Sequence, residues 1–133
     1  FQPPKLVLGS GTALGAALKL LVRCLDSEVV KGSATQKGDW KPVVMIVTDG
    51  SPTDDWKAIA DTVRTTVHGK RANVVAVGVG SDANEAFLNQ IAALSGETAY
   101  MAVPDINDPT VFANVLLHIF EKVASQRPIS LIK

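Results

Sequence analysis

Val43-Val44-Met45-Ile46-Val47 is an unbroken apolar run that stops at Thr48-Asp49-Gly50. A strand with one wet face alternates apolar and polar side chains, whereas a continuous run of this length reads as a strand covered on both faces, as in a parallel sheet between helix layers. Asn73 to Val79 is a second such run, closed by Gly80, and Ala99 to Val103 is a shorter third. Parallel strands need crossovers, so the segments between them should be helices.

The intervening patterns meet that requirement. Leu14, Leu18, Leu21 and Leu25 recur at helical spacing between Thr12 and about Val30, with Gly15, Ala16 and Ala17 small enough for close approach to a neighbouring sheet. A second helix follows the first strand, with Thr53 as N-cap, Asp54 and Asp55 in its positive first turn, and Trp56, Ile59, Ala60, Val63 and Val67 as the inward stripe. Ser81 or Asp82 caps a third, with Phe87, Leu88, Ile91 and Leu94 inward and Gly96 at its C-terminal cap. Asp108-Pro109 opens a fourth, lined by Phe112, Val115, Leu116, Ile119, Phe120 and Val123 and stopped by Pro128. Phe1 to Leu8 reads as extended, and Lys31 to Lys41 as a polar loop. The expected architecture is one α/β domain over residues 1–133, a doubly wound parallel sheet of Rossmann-like form.

In open parallel sheets ligands bind beyond the carboxyl ends of the strands. Two segments belong there: the turn Gly9-Ser10-Gly11-Thr12-Ala13-Leu14-Gly15 and the loop Val47-Thr48-Asp49-Gly50-Ser51-Pro52-Thr53. A threonine hydroxyl and a carboxylate are hard oxygen donors, suited to Mg2+ or Mn2+ rather than Zn2+, for which no Cys and His cluster exists in the sequence. With 13 basic and 13 acidic residues and no block of either sign, the chain has no footprint for nucleic acid. No apolar run reaches the ~20 residues a membrane span needs. The lone Cys24 sits among Leu20, Leu21 and Leu25 as a small apolar side chain and fits a reducing compartment. His68 and His118 have no acid or nucleophile near them in sequence, and Ser51 lacks the glycine-flanked setting of a hydrolase serine, so the chain is expected to be non-enzymatic.

Ser10-Gly11-Thr12-Ala13-Leu14-Gly15 and Thr48-Asp49-Gly50 resemble the second and third elements of the metal-ion-dependent adhesion site of von Willebrand factor type A domains. Phe1-Gln2-Pro3-Pro4, Lys37-Gly38-Asp39-Trp40-Lys41-Pro42 and Pro52-Thr53-Asp54-Asp55-Trp56 are similar to the TerY-like branch, found with bacterial tellurite-resistance and chemical-stress systems. The resemblance implies a cytoplasmic, metal-dependent protein-interaction module. Thr12 and Asp49 would hold Mg2+ or Mn2+, and one coordination position would receive a carboxylate from a protein partner, such as a serine/threonine phosphatase or kinase of the same system. Ser10, Gly11, Gly50, Ser51 and the loop residue Trp40, placed near the metal-bearing side, would border that contact.

The family's first metal-binding element, an aspartate and two serines spaced by single residues, has no counterpart before Thr12. The chain opens on Phe1, so a targeting signal upstream would be invisible, and the N-terminal strands are expected to be absent from this chain. The resemblance then implies weak metal binding by the chain alone, and pairing either with the missing N-terminal piece or with a second copy. Two other classes fit parts of the pattern. A nucleotide-binding enzyme would use Gly9, Gly11 and Gly15, but the apolar run before them is short and the acidic residue such a site wants comes too late. A structural subunit would carry the same fold with a decayed metal site.

Overall fold

The computed structural model describes residues 2, 5, 7, 9–38, 40–95, 100–103 and 108–124. Three parallel strands, β1 (Val43–Thr48), β2 (Asn73–Val79) and β3 (Tyr100–Val103), lie in the order β1-β2-β3. Val43 is in register with Asn73 and Thr48 with Gly78, while Val79 faces Val103 across the other ladder. Four helices alternate with the strands: α1 (Leu14–Glu28), α2 (Lys57–Lys70), α3 (Glu85–Ala92), extended by a short 3-10 turn at Ala93–Ser95, and α4 (Pro109–Ala124). The expected sequence of elements is therefore present. Three strands running in one direction do not themselves contain the reversal of order that makes a sheet doubly wound.

Strand alternation divides the core in two. Val74 and Ala76 of β2, with Val44 and Ile46 of β1, pack against Leu14, Leu18 and Leu25 of α1, Val63 and Val67 of α2, and Phe87, Leu88 and Ile91 of α3. Val75, Val77 and Val79, with Val43 and Met45, face Val115 and Ile119 of α4. Helices thus cover both faces. Each fully buried valine of β2 contributes on the order of 1.5–3 kcal/mol relative to exposure, which makes this strand the centre of the fold.

β1 differs from its neighbour. All of β2 beyond Asn73 is buried, whereas every residue of β1 is at most half-buried and Val47 is 48% exposed. Only one edge of β1 is paired among the described residues. β1 still packs on both faces, Val44 and Ile46 on one and Val43 and Met45 on the other, as its apolar run suggested, while lying at the edge of the sheet that the described residues form.

Several helix boundaries differ from the sequence reading. Helix α2 starts at Lys57, with no acidic residue in its first turn and no side-chain cap at Trp56, so Thr53, Asp54 and Asp55 lie before the helix rather than at its cap or in its first turn. Asn84 caps α3, its Oδ1 accepting from Phe87 N at 3.0 Å, in place of Ser81 or Asp82. Asp108 caps α4 as expected, accepting from Thr110 N at 2.9 Å. Within α4, Val115 and Ile119 are buried, but Phe120 is 63% and Leu117 56% exposed, so the apolar stripe extends past what the sheet covers. Cys24 is free and half-buried. Gly96, Pro128 and most of Phe1 to Leu8 lie outside the described residues, as does the side chain of Val123.

Helices α1 and α2 are joined at both ends. Near their C-termini, Lys70 Nζ donates to Val29 O at 2.9 Å and to Asp26 O at 3.3 Å, supplying a cation to the carbonyl end of α1. The junction at their N-termini forms part of the rim described next.

Candidate metal centre

The strands run toward Thr48, Val79 and Val103, so the loop after β1 lies on the carboxyl rim of the sheet. That loop is folded on itself: Thr48 Oγ1 donates to Gly50 O at 3.0 Å and accepts from Gly50 N at 3.3 Å. Asp49, between them, is exposed. The turn before α1 meets the same loop. Thr12 N donates to Thr53 Oγ1 and Thr53 N donates to Thr12 O, each at 2.9 Å. Thr53 is four residues beyond Asp49, so this reciprocal pair fixes the Thr12 turn onto the Asp49 loop.

Two further bonds extend the junction. Gly15 N donates to Asp54 Oδ1 at 3.0 Å and Ala16 N donates to Asp54 Oδ2 at 3.2 Å. The residue preceding α1, Ala13, has no side chain able to cap the helix, and Asp54 takes that role from 39 residues away. A carboxylate is well placed there, because the first amides of a helix are unpaired donors at the positive end of the backbone dipole. The dipole explanation for Asp54 therefore holds, but the helix concerned is α1.

The glycines are fitted to this contact. Gly11 has φ +83°, a left-handed conformation open to glycine, and a Cβ there would stand 2.9 Å from Thr53 Oγ1. A Cβ on Gly15 would stand 3.0 Å from Asp54 Oδ2 and 3.2 Å from the Cα of Trp56. The small residues at the start of α1 were expected to admit a neighbouring sheet. Gly15 instead admits the loop that leads into α2, while Ala16 and Ala17 are exposed.

Of the residues singled out in the sequence, Thr12 is half-buried in the turn, Gly50 is half-buried, and Ser10, Gly11, Asp49 and Ser51 are exposed around it. Trp40 is 76% exposed but precedes β1, so it lies at the opposite end of the strand from Asp49. Its chain order contained that information, since a residue before a strand and one after it occupy opposite ends. Thr53 and Asp54 are the residues whose partners the sequence reading missed, both bonding the start of α1. Neither periodicity nor spacing marks a cap supplied by a distant loop.

The donor chemistry suits a small hard cation. Among the described residues no hydrogen bond engages the Thr12 hydroxyl or the Asp49 carboxylate, whereas Thr53 Oγ1 and both oxygens of Asp54 are engaged. The described residues contain no group of three or more His, Cys, Asp or Glu that could hold an ion. A site here would therefore draw on hydroxyl as well as carboxylate oxygen, as Mg2+ and Mn2+ accept.

An α/β domain with helices on both faces of a parallel sheet, and with oxygen donors carried by adjoining loops on its carboxyl rim, defines the class of protein. The sequence pattern of the von Willebrand factor type A domain matches residues 5–115, and the chain belongs to that family. It is thereby one of a group composed generally of protein-interaction modules, often metal-dependent. No curated protein and no solved structure matches the chain. No helix among the described residues is long and apolar enough to cross a membrane.

Proposed function

We propose that the chain is a metal-dependent protein-interaction module that takes Mg2+ or Mn2+ at Thr12 and Asp49. The observation that carries this reading is the hydrogen-bonded junction of their two segments, in which Thr53 and Asp54 carry the structural bonds. Thr12 contributes a hydroxyl and Asp49 a carboxylate, directly or through water, while Ser10, Gly11, Gly50 and Ser51 border the ion. When bound, the ion supplies a strong local positive charge that attracts a carboxylate of the partner protein. No residue is assigned a catalytic role. Because two side chains are few for such an ion, binding by this chain alone is weak, and further ligands come with the strand that covers the outer edge of β1. Its addition beyond β1 would also complete a doubly wound sheet.

Calorimetric titration tests the reading. Mg2+ or Mn2+, added in the large excess that weak binding requires, gives heat with the chain, and the heat is lost on Thr12→Ala, on Asp49→Ala and with excess chelator. Heat from a nicotinamide nucleotide with none from the metal would replace the module by a nucleotide-binding enzyme; silence with both would leave a structural subunit. The TerY-like motifs extend the proposal to a cytoplasmic role in tellurite or chemical-stress response, with a serine/threonine phosphatase or kinase as partner. Growth on tellurite with and without the chain tests that extension, and equal growth would remove it.

A further inference from the structure

We propose that Asp54 is a positioning residue for the rim, holding the Thr12 turn in register with the Asp49 loop before any ion arrives. The inference rests on the metal reading above for its purpose, but its geometry stands independently. Asp54 is half-buried and both its oxygens accept from the first turn of α1, at Gly15 and Ala16. Those amides follow Thr12 by three and four residues, so the carboxylate fixes the start of the helix that fixes the turn. Thr53 completes the clamp, exchanging two hydrogen bonds with Thr12 itself.

The consequence concerns loop ordering. Two ligands on separate loops must lose their relative freedom when they share an ion, and a junction formed in advance removes that cost from binding. A bidentate carboxylate suits the task because it bonds two successive amides, which fixes direction as well as distance. Gly15 leaves the space that lets the carboxylate approach. Asp54 thus does for the metal ligands what hydrogen-bonded outer residues do at other metal sites, where their loss costs about 10–100-fold in affinity.

Paramagnetic broadening of backbone amide signals by Mn2+ tests this on the whole chain, together with amide hydrogen exchange in its metal-free form. In the unaltered chain, signals of Gly11 to Leu14 and of Asp49 to Ser51 are expected to broaden together at the same Mn2+ concentration. Asp54→Ala should raise that concentration about tenfold, separate the two groups, and speed exchange at Gly15 and Ala16. Asp54→Asn, which keeps one acceptor oxygen, should fall between. Asn84→Ala is the control for stability, since it removes a comparable cap from α3 and should leave the Mn2+ response unchanged. An Asp54→Ala chain with the original Mn2+ midpoint would overturn the positioning role even if its melting temperature falls, as would unchanged exchange at Gly15 and Ala16. If the unaltered chain shows no broadening while exchange still depends on Asp54, the metal reading fails and the clamp remains only as a helix cap.

Discussion

Asp49 and Asp54 sit five residues apart in one loop, and their surroundings separate their roles. Asp54 has both oxygens on helix amides, whereas Asp49 is exposed beside a loop closed by Thr48 and Gly50. From sequence, Asp49 stands out as a candidate ligand because it follows a strand in a Thr-Asp-Gly turn. The partners of Asp54 did not stand out, because they lie in a different helix. Gly78 shows a second constraint at this scale. A Cβ there would stand 2.5 Å from Leu88 Cδ1 and 2.9 Å from Ala83 Cβ, and Leu88 is fully buried with little room to move. Gly78→Ala should therefore destabilise the domain by about 1–3 kcal/mol, as overpacking does, in a denaturant melt. An unchanged midpoint would mean that α3 is free to shift away from β2.

Element type was the most legible level, because local periodicity reports it. The runs at Val43–Val47 and Asn73–Val79 and the leucines of α1 each identify their element without knowledge of its neighbours. What periodicity cannot report is the neighbour itself. Both apolar runs read alike, yet among the described residues β2 is central and β1 stands at an edge, and Phe120 continues a helical stripe into solvent. Two of the cap positions failed for a related reason, while that of Asp108 held: Thr53, Ser81 and Asp82 have suitable side chains, but the chain turns into its helix a few residues later. An apolar edge strand is a template for further pairing. Light scattering on the chain should give a mass above its 14.0 kDa monomer, with Val47→Lys, on an already exposed position, shifting it toward the monomer. A single monomeric species at all concentrations would show that β1 recruits no second copy.

At the scale of the whole molecule, the fold brings the two segments that carry the candidate ligands to one rim and joins them through Thr53 and Asp54. The same fold leaves Trp40 at the far end of β1 from Asp49. Helices α1 and α2 are joined at both ends, by the Asp54 junction at one and by the Lys70 contacts at the other. Anomalous diffraction from crystals soaked in Mn2+ is the most direct test of the central claim. The account predicts one peak in contact with both Thr12 Oγ1 and the Asp49 carboxylate, directly or through a single water. A peak held by other residues, or hydroxyl and carboxylate oxygens too far apart to share an ion, would contradict it.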